Sequence, residues 1–357
     1  MSLNYKEITV KEVKKETAQC VSVAFDIPET LATAFAYKAG QYLNIRAFIN
    51  GEDVRRSYSL CSSPLQNEWR VAVKKVDGGL FSTFANDVLK AGDKLELMPP
   101  MGNFYAELNP TNNKRYIGIA AGSGITPVIS IIKTVLQTEP GSSFTLVYGN
   151  RNRPSIIFKE ELEALKNKYI HRFNIIHILS REMTDATLNH GRINAEKCAH
   201  LFEKALNINA DEFFICGPEE MTLDVKDFLK NNGIAEQKIH IELFTTVNAK
   251  KFVAKDVVSA TDEVKSNITV KLDGITFNFD LGFDDASILD AAAHQGADVP
   301  YSCKSGVCCT CRAKLLEGEV EMEACYGLEP DEIEAGFILT CQSHPKSVKV
   351  VVDYDAK

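Results

Sequence analysis

The chain has 357 residues, of which 45% are hydrophobic and 25% are charged, a composition typical of globular proteins and enough for roughly two to three domains. It carries 40 Lys and Arg against 48 Asp and Glu, and this net charge of −8 argues against a nucleic-acid-binding protein, whose affinity depends on neutralising phosphates. Of its 10 cysteines, four lie between positions 303 and 311, which indicates a metal or cluster site rather than a disulfide scaffold.

No segment has the pattern of a membrane span or a signal peptide. The most apolar stretch, residues 116–136, is interrupted by glycines, Pro127 and Lys133. Residues 1–17 are charged and lack an apolar core. We therefore expect a soluble, cytoplasmic protein with no membrane or nucleic-acid partner.

Residues 1–110 show short segments of alternating polar and apolar residues, which are typical of half-buried strands. Asn50-Gly51 between two such segments predicts a hairpin turn. One helix is expected here, from Phe81 to Leu89, ended by Ala91-Gly92. Many short strands at close spacing predict an antiparallel barrel or sandwich.

Residues 113–244 alternate between apolar strands and helices, which is typical of a parallel α/β sheet. Residues 245–265 are mostly polar, charged or small and are predicted to form a linker. Residues 266–357 form a third unit that opens with a hairpin at Asp273-Gly274. In the middle section the sequence predicts strands at 116–120, 144–148, 173–179, 212–216 and 238–243, and helices at 127–137, 158–168 and 218–231.

The strongest chemical signal is the spacing of Cys303, Cys308, Cys311 and Cys341, with gaps of 4, 2 and 29 residues. This is the plant-type [2Fe–2S] pattern, in which each of two irons takes two thiolates. Cys309 lies between two of these cysteines and is not expected to be a ligand. A structural zinc site is the alternative, although zinc sites usually pair two short Cys-x-x-Cys segments.

Two motifs in the first section together predict a flavin site. In Arg56-Ser57-Tyr58-Ser59, the arginine can bind a pyrophosphate, the ring can lie on a flat ring system, and a hydroxyl can bond a polar ring atom. Gly79, Ser82 and Thr83 stand where the predicted helix begins, and a helix N-terminus attracts anions. Each motif alone is equally typical of an ordinary barrel strand or turn.

Two more motifs follow predicted parallel strands, at whose carboxyl ends ligands bind in open α/β sheets. In Gly122-Ser123-Gly124-Ile125-Thr126-Pro127 the glycines permit close approach, Thr126 is the expected N-cap and Pro127 the first helical residue. The sixth position is proline, so the ordinary Rossmann fingerprint is not met, and a plain connector is the alternative. Cys216-Gly217-Pro218, with Met221, has a buried strand-end cysteine as its alternative.

In this order, the motifs resemble those of the ferredoxin–NADP⁺ reductase superfamily fused to a C-terminal plant-type ferredoxin, over essentially the whole chain. Residues 56–59 are similar to its R-x-Y-S flavin motif and residues 79–83 to its pyrophosphate loop. Residues 122–127 are similar to its G-x-G-x-x-P turn, and residues 216–218 to the C-G-P that faces the nicotinamide.

The resemblance implies a multidomain fold. The expected domains are an FAD-binding antiparallel β-barrel domain (1–110), an NADP-binding α/β parallel-sheet domain (113–244), the linker (245–265) and a plant-type [2Fe–2S] ferredoxin domain of the α+β, β-grasp type (266–357).

The resemblance also implies a function. Electrons would pass from NADPH to FAD, to the [2Fe–2S] cluster and on to a separate di-iron oxygenase, with Cys216 and Ser59 in catalytic roles. A reductase for a Rieske or other hydroxylase is one alternative, and a non-enzymatic, zinc-stabilised binding module is another of a different class. Cys303, Cys308, Cys311 and Cys341 would ligate the cluster.

The coenzyme is expected to be NADPH. Asn150-Arg151 follows one strand, and Ser180-Arg181, which resembles the Ser-Arg that holds a 2′-phosphate in NADP-dependent relatives, follows the next. An acid here would bond a free ribose hydroxyl, whereas arginine accommodates the phosphate, although each arginine alone is equally typical of a solvated surface. Phe244 is expected either near the flavin ring or in a domain-interface core. The expected cofactor-binding residues are Arg56, Ser57, Tyr58, Ser59, Gly79, Ser82, Thr83, Gly122, Gly124, Thr126, Pro127, Asn150, Arg151, Ser180, Arg181, Gly217, Pro218, Met221 and Phe244.

Overall fold

The computed structural model describes residues 5–244 and 265–356, and these two ranges belong to separate compact units. The predicted linker at 245–265 lies outside the described residues except for Lys265, which is the first residue of a strand. No helix in the described ranges combines the length and the apolar character that crossing a membrane requires.

The first part of the larger unit is a six-stranded antiparallel barrel. Its strand order is β4-β3-β6-β1-β2-β5. A bridge between Leu60 and Val71, and a 2.7 Å hydrogen bond from the Cys61 N–H to the Arg70 carbonyl, link the end of β4 back to β5. The barrel rather than the sandwich is therefore present. The strands are Lys6–Thr17 (β1), Cys20–Asp26 (β2), Tyr42–Ile49 (β3), Glu52–Ser59 (β4), Trp69–Lys74 (β5) and Lys94–Leu97 (β6).

Local sequence determines the turns of this barrel. Asn50 and Gly51, with φ of 54° and 84°, form the predicted turn between β3 and β4. Both residues tolerate this left-handed conformation, and its twist matches that of the two strands. The expected helix is also present as α1, Leu80–Asp87, so its predicted end at Leu89 was two residues too late.

The second part of this unit is a five-stranded parallel sheet with strand order β11-β10-β7-β8-β9. The order reverses between β7 and β10, so the loops that follow these two strands open next to each other, which is where ligands bind in such sheets. Helix α4 was not predicted. The elements are Arg115–Ala121 (β7), Ile125–Thr138 (α2), Ser143–Asn150 (β8), Lys159–Lys168 (α3), Phe173–Leu179 (β9), Ala195–Lys204 (α4), Glu212–Gly217 (β10), Glu219–Asn231 (α5) and Ile239–Leu243 (β11).

Polar contacts along one side of α2 join the barrel to the parallel sheet. The Ser130 hydroxyl donates to the Ser62 carbonyl, and the Lys133 ammonium donates to the Cys61 carbonyl at 2.8 Å. The hydroxyls of Ser63 and Thr134 are 2.9 Å apart. These contacts hold the loop that follows the R-x-Y-S strand against the helix that follows the glycine turn.

The smaller unit is an α+β fold of the β-grasp type. Its main sheet has the order β13-β12-β18-β14-β16, with β12 and β18 parallel, and α6 packs Ile288, Leu289 and Ala292 into its core. The predicted Asp273-Gly274 turn is confirmed, with φ of 51° and 75°. The elements are Lys265–Leu272 (β12), Ile275–Gly282 (β13), Ile288–His294 (α6), Arg312–Glu317 (β14), Val320–Met322 (β15), Pro330–Glu334 (α7), Phe337–Leu339 (β16), Ser343–Pro345 (β17) and Lys349–Asp353 (β18).

Candidate functional site

The four cysteines predicted as cluster ligands form two pairs in the smaller unit. Cys303 and Cys308 lie at the two ends of one loop, and each backbone N–H points at the other's sulfur at 3.4 Å. Cys311 pairs with Cys341, because the Thr340 N–H and hydroxyl both donate to the Cys311 carbonyl and hold the end of β16 beside it. Two irons need two thiolates each, so this donor set fits a [2Fe–2S] cluster.

The loop around Cys303 and Cys308 is rich in donors to sulfur. The Ser305 N–H points at the Cys303 sulfur at 3.4 Å, and the Thr310 hydroxyl points at the Cys308 sulfur at 3.3 Å. The hydrogen bond from Cys308 lowers the pKa of the Cys303 thiol, and the same contact raises the pKa of Cys308. Such donors stabilise thiolate sulfur, the form that binds iron.

Cys309 and Cys325 are placed differently from the four paired cysteines. Cys309 points its thiol at the Gly327 carbonyl, and burial raises its pKa to about 12. Burial also raises the pKa of Cys325. The Cys309 thiol is thus engaged by a backbone carbonyl, and its exclusion as a cluster ligand stays a prediction.

The R-x-Y-S motif occupies the end of β4. Tyr58 is half-buried and its ring centroid lies 5.3 Å from that of Phe81 in α1, so the structure brings the motif to the predicted helix. The Ser57 hydroxyl donates to the Asn44 amide oxygen at 2.7 Å. Arg56 is exposed, with one guanidinium N–H donating to the Arg55 carbonyl at 2.7 Å. Its remaining donors suit a pyrophosphate.

The turn before α1 is shaped by one serine. The Ser82 hydroxyl accepts from the Val76 N–H and donates to the Gly79 carbonyl, both at 3.1 Å. A Cβ on Gly79 would lie 2.6 Å from this hydroxyl, so the turn requires glycine. The Thr83 N–H donates to the Gly79 carbonyl at 2.9 Å. Gly79 and Ser82 thus build the helix N-terminus at which we predicted a phosphate contact.

The glycine turn after β7 packs against the end of β10. A Cβ on Gly124 would lie 2.1 Å from the Cys216 carbonyl oxygen, so only glycine permits this approach. The prediction of Thr126 as N-cap and Pro127 as first helical residue was wrong: α2 begins at Ile125 with Gly124 at the N-cap. The chain already forms a 3-10 turn at Gly122–Gly124 that runs directly into α2, and the Thr126 hydroxyl donates to the Ser123 carbonyl at 3.0 Å instead.

A carboxyl that the sequence reasoning missed joins the two predicted catalytic residues. The Ser59 hydroxyl donates to Glu242 Oε2 at 3.0 Å, and the Cys216 sulfur lies 4.0 Å from the same oxygen. Cys216 and Glu242 are paired residues of β10 and β11, which explains their proximity. The sequence offered one signal for Glu242. It stands at the carboxyl end of a predicted parallel strand, where ligands bind, two residues before Phe244.

Burial determines the protonation state of this group. It raises the pKa of Glu242 to about 8, partly offset by the Ser59 hydrogen bond. Burial, and then the charge of Glu242, raise the pKa of Cys216 well above its ordinary value. At neutral pH the carboxyl and the thiol are therefore mainly protonated. Met221 is buried against Gly217, and the half-buried Phe244 packs against the core around α2.

The residues predicted for the coenzyme phosphate meet at the ends of β8 and β9. The Ser180 N–H donates to the Asn150 carbonyl at 2.9 Å, and the Arg181 N–H to the Arg151 carbonyl at 2.8 Å. The Arg151 and Arg181 side chains are both exposed. Two exposed arginines at the ends of adjacent strands fit a phosphorylated ligand.

Three family models match consecutive parts of the chain. Residues 7–105 match the oxidoreductase FAD-binding domain, and residues 119–227 match the oxidoreductase NAD-binding domain. Residues 270–346 match the 2Fe-2S iron-sulfur cluster binding domain. The expected FAD, nicotinamide and [2Fe–2S] cofactors are confirmed at this level, and the zinc alternative loses its support.

Comparisons over the whole chain agree with this order of domains. The chain is 45% identical to a component of the 1,2-phenylacetyl-CoA epoxidase of Escherichia coli (strain K12), over 99% of this chain and 98% of that one. It is 35% identical to the ferredoxin reductase component of 3-ketosteroid-9-alpha-monooxygenase of Rhodococcus rhodochrous, over 97% and 96% of the two chains. The structure of phthalate dioxygenase reductase superposes with a TM-score of 0.59 at 24% identity, covering 98% of both chains. The chain therefore belongs to the family of oxygenase reductase components that combine an FAD-binding domain, an NAD-binding domain and a [2Fe–2S] ferredoxin domain.

Proposed function

We propose that this chain is the NADPH-dependent reductase of a di-iron oxygenase that epoxidises phenylacetyl-CoA. The observation that carries the proposal is the 45% identity, over 99% of the chain, with a component of a phenylacetyl-CoA epoxidase. The identity to the 3-ketosteroid-9-alpha-monooxygenase reductase component is 35% over a similar length.

We also propose the domain limits 1–110, 113–244 and 266–357, with a linker at 245–265. The three family-model matches fall inside these limits, and the barrel, the parallel sheet and the β-grasp sheet each lie within one of them apart from Lys265. A boundary near 244 would let the smaller unit be expressed alone.

The residues of β4 and α1 would hold FAD. Arg56 and the N-terminus of α1 at Gly79, Ser82 and Thr83 would bind the pyrophosphate, and Tyr58 would lie against the flavin. When bound, FAD and the cluster supply the conversion of a two-electron hydride into single electrons.

The group formed by Ser59, Cys216 and Glu242 would serve the nicotinamide end of this site. Because its pKa is raised to about 8, the Glu242 carboxyl keeps a proton at neutral pH beside the Ser59 hydroxyl. The fully buried, protonated Cys216 thiol is not a nucleophile and excludes water instead. Gly124 lets the turn after β7 pack against the end of β10, and Gly217 leaves room for the Met221 side chain.

At the ends of β8 and β9, Asn150, Arg151, Ser180 and Arg181 would bind the adenosine end of NADPH. Two exposed guanidinium groups on adjacent strand ends suit the 2′-phosphate that distinguishes NADPH from NADH. This placement supports the proposed preference for NADPH.

The test is a reconstituted oxygenase reaction. The purified oxygenase part of phenylacetyl-CoA epoxidase is mixed with phenylacetyl-CoA, NADPH and this protein, and the epoxide product is measured. We expect product with the wild type and none with Cys311→Ser, which lacks a cluster ligand but can still be tested for flavin reduction.

The 35% identity to the 3-ketosteroid-9-alpha-monooxygenase reductase component favours a second candidate, a reductase for a different oxygenase. Parallel reactions with purified 3-ketosteroid-9-alpha-monooxygenase oxygenase and its steroid substrate decide between the two. Turnover there, with no turnover of phenylacetyl-CoA by its epoxidase, would replace the first candidate by the second.

A further inference from the structure

An acidic residue lies among the basic residues proposed to bind the 2′-phosphate. Glu182 directly follows Arg181 at the end of β9, and its side chain is only about one quarter exposed, at 26%. An acidic residue beside the ribose of a bound dinucleotide bonds the free 2′-hydroxyl of NAD and repels a 2′-phosphate. The negative charge of Glu182 would therefore lower the affinity for the 2′-phosphate of NADPH unless a nearby positive charge offsets it.

Arg153 offsets this charge through two contacts. Its guanidinium lies 2.7 Å from Glu182 Oε1, and its backbone N–H donates to Glu182 Oε2 at 2.9 Å. Both oxygens of the carboxylate are thus engaged by one residue. The Arg153 backbone is itself fixed, since Asn152 caps the short helical turn Arg153–Ser155 through a bond from the Ser155 N–H.

The opposite side of Glu182 is also held in place. Its carbonyl oxygen lies 3.0 Å from His190 Nδ1, and the Gly191 N–H donates to the Leu179 carbonyl at 3.0 Å. The loop between Glu182 and His190 therefore returns to the end of β9. Neither Glu182 nor Arg153 belongs to the set of residues proposed to contact the coenzyme.

We propose that Arg153 is a specificity-determining residue that masks the Glu182 carboxylate, so that the ends of β8 and β9 accept the 2′-phosphate of NADPH. This rests on the proposed coenzyme site but assigns Arg153 a different role from Arg151 and Arg181. Arg153 neutralises an adjacent acid, whereas the other two arginines meet the phosphate.

The size of the effect follows from Coulomb's law. A unit charge about 8 Å from a phosphate dianion in a water-rich site changes its binding by roughly five- to tenfold at low salt. A ligand that lacks the 2′-phosphate has no dianion at this position and is affected much less. The ratio of the two affinities therefore isolates the masking effect from general damage to the loop.

The experiment is a double-mutant cycle on the holoprotein with Arg153→Gln, Glu182→Gln and the double variant. Isothermal titration gives the Kd of 2′,5′-ADP, which carries the 2′-phosphate, and of 5′-ADP, which lacks it. The KM values for NADPH and NADH with a dye acceptor provide a second readout. Lys94→Gln, which removes the cation of the exposed Lys94–Glu7 pair in the barrel, is the matched control.

We expect Arg153→Gln to raise the Kd of 2′,5′-ADP by roughly five- to tenfold while that of 5′-ADP changes by less than about twofold. Adding Glu182→Gln should return the Kd of 2′,5′-ADP to about the wild-type value, because the unmasked acid is gone. If the double variant stays as weak as Arg153→Gln, or if both ligands weaken equally, the masking role is wrong. Equal use of NADH and NADPH by the wild type would refute the coenzyme preference alone, since the cycle compares ratios between variants.

Discussion

Replacing Gly124 by alanine perturbs the closest approach in the proposed nicotinamide site. The new Cβ would lie 2.1 Å from the Cys216 carbonyl oxygen, 2.5 Å from its carbonyl carbon and 2.9 Å from the Gly217 nitrogen. Nonbonded atoms prefer about 3.5 Å, so the two turns must separate by about 1.4 Å to relieve the contact with the Cys216 oxygen. The atoms met are all backbone, and no side chain can rotate away to relieve the clash.

The expected cost has two parts. Overpacking of this kind lowers the free energy of unfolding by about 1–3 kcal/mol. A displacement of about 1 Å at a reacting group slows catalysis on the order of 100-fold. Gly124 has φ of −60°, which any residue adopts, so the loss would come from the close approach and not from backbone strain.

Gly122→Ala is the matched control in the same turn. Gly122 has φ of 55°, and its Cβ would meet only the flexible Lys74 ammonium, at 3.2 Å. We expect a loss of about 1–2 kcal/mol in stability from the left-handed conformation, and a rate within about tenfold of the wild type. Stopped-flow reduction of the flavin by NADPH gives the rate, urea denaturation the stability, and FAD content shows that each variant is folded. A folded Gly124→Ala protein with wild-type rate and stability would refute the close packing of the two turns.

Three further predictions follow from the sites. Glu242→Gln should flatten the pH dependence of stability, because the pKa of the Glu242 carboxyl is raised to about 8. The stabilisation from the protonated carboxyl is complete below about pH 4.5 and is lost as the pH rises towards 8, by at most about 1.4 kcal/mol per pH unit. Urea denaturation from pH 5 to 9 measures this, and the same slope in both proteins would contradict the burial of Glu242. Replacing Cys303, Cys308, Cys311 or Cys341 by serine should abolish cluster iron and labile sulfide, while flavin reduction by NADPH persists. Replacing Cys309 or Cys325 by serine should leave the iron content unchanged. Full iron content in one of the first four variants would show that the replaced cysteine is not a ligand. Arg181→Ala should raise the KM for NADPH by about tenfold or more and that for NADH much less, and an equal rise in both would remove Arg181 from the phosphate site.

Features governed by neighbouring residues could be predicted from the sequence. The Asn50-Gly51 and Asp273-Gly274 turns follow from residues that tolerate positive φ. The order of strands and helices in the α/β section follows from its apolar runs, and the prediction of the cluster ligands rests on the spacing of the cysteines. Helix α4 was missed because only Cys198 and Leu201 of its ten residues are buried, which leaves little hydrophobic periodicity to detect.

Features that depend on distant residues could not be predicted. Glu242 gains its raised pKa from burial near Ser59, a residue 183 positions earlier in the chain. The glycine turn after β7 packs against the backbone of Cys216, nearly one hundred positions later, and its 3-10 turn leads into α2 before Thr126 can act as a cap. Arg153 reads as one more basic residue in the sequence until the fold places Glu182 against it.

The measurement that most directly tests whether this chain carries electrons from NADPH to a four-cysteine cluster is low-temperature EPR of the protein after anaerobic addition of NADPH. The wild type should develop the signal of a reduced [2Fe–2S] cluster as its flavin absorbance bleaches. Cys311→Ser should bleach without developing that signal. Zinc in place of iron in freshly purified wild type, or a bleached flavin beside an iron-loaded cluster that stays oxidised, would contradict the proposed electron path.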